Sequence, residues 1–160
     1  MKNQKGFSLV ELLVVVIIIA IIAAIAIPNL LASRRAANEA SAISALRTIH
    51  SAEVTYFSTA GANSDYGDMA DLSAATVALI DAKLGAATTS AAAKSGYFYT
   101  ATLIATTKDG YCTTATPASS TQGTRIFAVS TPGVIYTSLA DGSGAPTCAA
   151  GVVTGTTIIQ

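Results

Sequence analysis

Residues 6–28 read GFSLVELLVVVIIIAIIAAIAIP, and the fold of the chain turns on this stretch. From Leu12 to Ile27 there are 16 consecutive residues without a polar side chain. Extended back to Phe7, the run is 21 residues long and is broken only by Ser8 and Glu11. At ~1.5 Å per residue such a helix spans roughly 31 Å, about the hydrocarbon core of a bilayer. Apolar on every side, it needs lipid or other protein all round it. The preceding MKNQKG carries Lys2 and Lys5, which favour the cytoplasmic side while the rest of the chain is exported.

An ordinary secretory signal peptide is the plainest alternative. Ala24-Ile25-Ala26 is a small-x-small site, and cleavage after Ala26 would release a soluble adhesin or enzyme beginning at Ile27. Two features oppose it. Glu11 stands at the start of the apolar run, where a carboxylate costs up to ~2.5–3.5 kcal/mol at the centre of an inserted helix and less near the interface. Helical sequence also continues straight past the supposed cut.

The stretch Gly6-Phe7-Ser8-Leu9-Val10-Glu11-Leu12-Leu13, followed by the apolar run and by Pro28-Asn29-Leu30, resembles the type IV pilin and type II secretion pseudopilin family. In that family a prepilin peptidase cuts after the glycine on the cytoplasmic side and methylates the new terminal residue. The resemblance implies cleavage between Gly6 and Phe7, N-methylation of Phe7, and an assembly role for Glu11, the fifth residue after the cut. It is specific for residues 1 to about 57 and only architectural beyond. Removal of residues 1–6 would leave seven basic and nine acidic side chains, a formal charge near −2.

Glu11 has a physical rationale of its own. A carboxylate in an apolar setting is tolerated when paired. Cleavage would create an α-amino cation on Phe7, four residues earlier on the same helical face. Pairing within one helix and pairing between neighbouring subunits both satisfy the charge; the resemblance implies the second.

Pro28 removes a helical hydrogen bond and predicts a kink or local melting near Ala24–Pro28. Residues 31–60 then contain no Gly or Pro. At 100° per residue, Ala42, Ala45, Leu46, Ile49, Glu53, Tyr56, Phe57 and Ala60 share one arc, while Ser44, Arg47, Thr48, Ser51, Thr55 and Ser58 fall opposite. This is an amphipathic helix, with Gly61 as its stop. A helix over residues 7–60 would be about 81 Å long, more than one small domain can cover. Arg34 and Arg35, just past the apolar segment, suit lipid headgroups, a neighbour's acids or solvent.

The head occupies residues 61–160. Asn63–Asp71 reads as loop, and Leu72–Leu84 as a short helix capped by Asp71 or Ser73 and stopped by Gly85. Residues 85–96 read as a low-complexity linker. Tyr97–Thr107 alternates as a strand, with Phe98, Thr100 and Thr102 on one face and Tyr97, Tyr99, Ala101 and Leu103 on the other. Arg125–Ser130 and Val134–Leu139 are further strands joined by Thr131-Pro132-Gly133, and Val152–Ile159 is a weaker fourth. The expected fold is α+β: a long kinked N-terminal helix, membrane-spanning in its first half, its second half packed on a small antiparallel sheet. The domains expected are a leader (1–6), a transmembrane or filament-core helix (7–27), an amphipathic continuation (28–60) and the head (61–160).

Composition narrows the function. Of 160 residues, nine are basic and nine acidic, a formal charge of +0, which argues against a nucleic-acid partner. With 51% hydrophobic and 11% charged residues, disorder is excluded. One histidine cannot build a multi-imidazole metal centre, and His50, at the edge of the apolar stripe, fits a partly buried interface residue better than a general base. No enzyme is expected. Cys112 and Cys148 are the only cysteines, and in an oxidising compartment their pairing would stabilise the head by about 4 kcal/mol; the alternative is two unpaired buried thiols. The resemblance also implies the pairing, since many type IV pilins carry a C-terminal disulfide loop and most core pseudopilins do not. Asp65, Asp68 and Asp71 recur at every third residue but lack the alternating pattern of a calcium loop, so calcium is a weak candidate and no other cofactor is expected.

The function expected is that of a major pilin. It would be a single-pass inner-membrane precursor, trimmed by prepilin peptidase and built by the pilus assembly machinery, with copies of itself, into a surface filament for adhesion or motility. The alternative within the family is a major pseudopilin of type II secretion, confined to the periplasm.

Overall fold

The computed structural model describes residues 6–74, 76–104, 108–140, 146–149, 152–154 and 157–159. The chain divides into two units, Met1–Arg34 and Arg35–Gln160. The α1 helix, Leu9–Ser58, begins in the first and ends in the second.

In the first unit Gly6, Phe7 and Ser8 precede the helix. The large apolar residues from Leu9 to Leu31 are 40–80% exposed. A helix with that surface is unstable in water and demands an apolar surrounding. The expected melting near Pro28 is corrected: helix runs unbroken through that residue. Proline at this position withholds the donor for the Ala24 carbonyl, and the remaining intrahelical bonds on either side hold the turn.

In the second unit α1 behaves as the sequence predicts, with differences at its edges. Ala42, Leu46, Ile49 and Glu53 are buried, while Ser44, Arg47, Thr48, Ser51, Thr55 and Ser58 are exposed. The buried stripe also takes in Glu39 and Ala52, whereas Ala60 lies beyond the helix and is exposed. The helix ends at Ser58, where Gly61 N–H bonds to Tyr56 O at 2.8 Å and Asn63 N–H to Phe57 O at 2.8 Å. Gly61 is required for close approach: a Cβ there would overlap the Asp65 carbonyl oxygen.

The single helix expected over Leu72–Leu84 is corrected to two short ones, α2 (Met69–Ser73) and α3 (Ala82–Gly85). The cap of α2 is Asp68, with Asp71 completing a reciprocal capping box; Asp81 caps α3. The loop expected through Asp71 therefore ends earlier. Nor are residues 85–96 a free linker. Ala87 is fully buried and its carbonyl accepts from Tyr99 N–H at 2.7 Å, a 3-10 turn forms at Ser90–Ala92, and Lys94 pairs with Asp81 at 2.6 Å.

The sheet has strand order β1-β2-β3-β4-β7, all antiparallel: β1 Tyr97–Leu103, β2 Tyr111–Pro117, β3 Arg125–Ser130, β4 Ile135–Leu139 and β7 Thr157–Ile159. A separate two-stranded ribbon joins β5 (Thr147–Ala149) to β6 (Val152–Thr154). The anticipated faces of β1 hold, though the strand stops at Leu103; residues 105–107 of the expected extension lie outside those described. The expected Val152–Ile159 strand is corrected to two strands in two sheets, and β2 and β5 were not anticipated. The first four strands form a meander, each pairing with the next along the chain.

One face of the sheet packs on α1. Ala42, Leu46, Ile49 and Ala52 meet Tyr97, Tyr99, Tyr111, Phe127, Val129 and Ile135 in one core, joined by Leu72, Ile80 and Leu84 from the loop helices. On the opposite face Cys112, Ala128 and Val153 form a smaller cluster, with Tyr136 and Cys148 against it. The second unit is thus an α+β layer pair, as expected for two elements each apolar on one side.

Candidate functional site

The N-terminal segment holds the residues that the sequence marked for cleavage, methylation and assembly. A Cβ on Gly6 would meet nothing within 4 Å, and Phe7 is 82% exposed, so the Gly6–Phe7 bond stands clear of the rest of the described chain. Ser8 accepts the first helical bond from Leu12 N–H at 3.3 Å, and Ser8 N–H donates to Glu11 Oε2 at 3.1 Å. Ser8-Leu9-Val10-Glu11 therefore closes one arm of a capping box, with the glutamate reaching back to the first donor of the helix. Phe7, Ser8, Val10, Glu11, Val14 and Val15 line one shallow surface. Pro28 lies within the same unit, inside the helix.

In the head, Cys112 on β2 and Cys148 on β5 form a disulfide with Cα atoms 5.7 Å apart. The bond ties the β5–β6 ribbon to the outer face of the sheet. The three aspartates are not gathered into a ligand set. Asp68 Oδ1 accepts from Ala70 N–H and Asp71 N–H, each at 2.8 Å, and Asp71 Oδ2 accepts from Asp68 N–H at 3.1 Å. Among the described residues no three His, Cys, Asp or Glu side chains stand together as a metal site. His50 is half-buried, its Nδ1 hydrogen-bonded to the Tyr111 hydroxyl, and burial holds its imidazole below the ordinary histidine range.

Sequence reasoning assigned no role to two buried glutamates. Glu39 Oε1 accepts from Thr124 N–H at 3.0 Å and from its hydroxyl at 2.9 Å, while Oε2 meets Arg125 Nε and Nη2 at 2.8 Å. Burial pushes this carboxyl up, but the Thr124 and Arg125 bonds outweigh it and hold it below its usual range. Glu53 is fully buried and takes one bond, from Gly67 N–H at 3.1 Å to Oε2. The signal was available. Glu39 extends the stripe of Ala42, Leu46, Ile49 and Glu53 one turn back, and an acid on an apolar stripe requires a partner.

Residues 1–27 match the family model described as the prokaryotic N-terminal methylation motif. The chain carries a prepilin-type N-terminal motif. Over 39 residues it is 54% identical to the type IV wide pilus major component PilA4 of Thermus thermophilus, a match that covers 24% of this chain and 30% of that relative. The segment is similar to that of a type IV pilus component, and the likeness is confined to the part with the apolar helix. No solved structure matches the chain. The head is therefore read from its own residues.

Proposed function

We propose that the chain is the major subunit of a type IV pilus, cut between Gly6 and Phe7 by a prepilin peptidase, N-methylated on Phe7, and polymerised through its apolar helix. The observation that carries the reading is a helix exposed on all sides from Leu9 to Leu31, with one carboxylate, Glu11, four residues after Phe7. In the precursor this helix holds the chain in the membrane as a single span. In the filament, neighbouring copies replace lipid around it. Glu11 supplies the register: an incoming subunit gains when its carboxylate meets the Phe7 amine of a neighbour, because a charge in an apolar surrounding is stabilised chiefly by pairing. Heterologous contacts of this kind do not close and so generate open fibres.

The Cys112–Cys148 bond supports pilin over pseudopilin, since the resemblance implies a C-terminal disulfide loop in many type IV pilins and not in most core pseudopilins. The test is intact mass and N-terminal sequence of the mature protein from sheared surface fractions. N-methylated Phe7 in sheared fibres is the expected result. The same terminus confined to the envelope identifies a secretion pseudopilin, and a terminus at Ile27 in the soluble fraction overturns the filament reading.

A further inference from the structure

The Glu53 carboxyl is enclosed by three elements. From α1 come Glu53 itself and Tyr56; from the segment after the helix, Tyr66 and Gly67; from β2, Tyr111. Tyr66 stacks on Phe57 at 4.7 Å between ring centres and leans on Tyr111 at 5.0 Å, which closes the space above the acid. Gly67 is buried, and a Cβ there would press to 3.3 Å from the Tyr56 ring and 3.1 Å from Asp71 Cβ. A larger residue there would require Tyr56 or Asp71 to shift by a few tenths of an ångström. Among the described residues Glu53 Oε1 has no hydrogen-bond partner.

The charged groups that act on Glu53, Asp68 and Asp71, are acidic, and both repel a second negative charge. The other titratable groups facing the pocket are Tyr56, Tyr66 and Tyr111, with His50 behind Tyr111 and bonded to its hydroxyl. A carboxylate enclosed without a cation and with one oxygen unsatisfied is costly, whereas the neutral acid is tolerated. We propose that Glu53 is a proton-operated latch: as the neutral acid it holds residues 61–68 against the end of α1, and its ionisation releases that segment to water. Burial, opposed by the Gly67 bond and reinforced by Asp68 and Asp71, pushes the carboxyl up to about 8. A group raised on folding contributes its full stability below the ordinary carboxyl range and loses it as pH rises to its folded value. The latch is therefore firmest in acid, weakens progressively as pH rises above the ordinary carboxyl range, and has lost its contribution by about pH 8. It does not rest on the filament reading.

The chain has three glutamates, Glu11, Glu39 and Glu53, so carboxyl-13C glutamate labelling of the full chain in detergent micelles gives three resonances. One is expected to keep the shift of a protonated acid at pH 7, to titrate near pH 8 and to vanish in Glu53→Gln. Between pH 6 and 7 exchange of the Gly67 amide, corrected for its intrinsic base-catalysed rate, should quicken about tenfold in the native chain, level off above about pH 8, and stay flat throughout in Glu53→Gln. If that variant does not fold, Asp68→Asn with Asp71→Asn keeps cap-forming side chains and should move the same titration to lower pH. Titration of all three resonances below pH 5 overturns the proposal, as does pH-dependent Gly67 opening that persists in Glu53→Gln.

Discussion

Ser8 N–H donates to Glu11 Oε2 at 3.1 Å, so the carboxylate that opens the apolar run is also the cap of its own helix. The proposed charge pairing and this cap fall on one side chain, and they separate chemically. Glutamine preserves this acceptor for the Ser8 N–H but carries no charge. Glu11→Gln should leave precursor levels in the membrane unchanged yet reduce sheared filaments at least tenfold, whereas Glu11→Ala should lose cap and charge together. Quantifying membrane-bound precursor beside sheared fibre distinguishes the two; normal fibre yield in Glu11→Gln would remove charge pairing from the assembly step.

Glu39 joins α1 to the start of β3 through Thr124 and Arg125. Arg125 is 43% exposed, so breaking the pair costs less than the ~3–5 kcal/mol of a fully buried one. Glu39→Ala should destabilise the head by about 2 kcal/mol, largely through the Thr124 N–H left without its acceptor. Because folding lowers this carboxyl, its contribution is present above the ordinary carboxyl range and is lost as pH falls through the depressed folded value. Urea midpoints between pH 3 and 6, compared with Glu39→Gln, check both magnitude and sign.

The disulfide ties the small outer cluster, not the main core. Cys112→Ser with Cys148→Ser should cost up to about 4 kcal/mol on the chain-entropy estimate. Amide exchange should rise first in β5 and β6, while the α1-facing residues Tyr97 and Phe127 keep their protection. Uniform loss across the sheet would show that the two clusters unfold as one.

Leu46 is fully buried between α1 and the sheet, and Thr48, two residues on, is exposed. Leu46→Ala should cost about 2–5 kcal/mol and Thr48→Ala less than about 0.5 kcal/mol. Thermal unfolding of the two variants tests which face of α1 the head uses.

Much of this architecture was legible because it is local. A run with no polar side chain, a 3.6-residue stripe from Ala42 to Phe57, and alternation in Tyr97–Leu103 and Arg125–Ser130 each report a periodicity that the backbone imposes. The turn Thr131-Pro132-Gly133 was visible too, and Gly133 takes φ +78° with its N–H bonded to Ser130 O at 2.7 Å. The strand β2 escaped notice because Cys-Thr-Thr-Ala-Thr carries little apolar bulk. Its flag was Lys108-Asp109-Gly110, a turn signal between two β-prone runs.

The amino-acid sequence by itself determined the apolar helix, its carboxylate at Glu11, the amphipathic continuation and the cysteine pair available for bonding. Only the tertiary structure decided that β2 sits between β1 and β3, that Val152–Thr154 and Thr157–Ile159 join different sheets, and that Glu39 finds Arg125 while Glu53 finds a glycine amide. The reason is physical. Periodicity and capping are encoded within a few residues, whereas strand order and the partner of a buried charge depend on groups brought from 14 to 86 positions away.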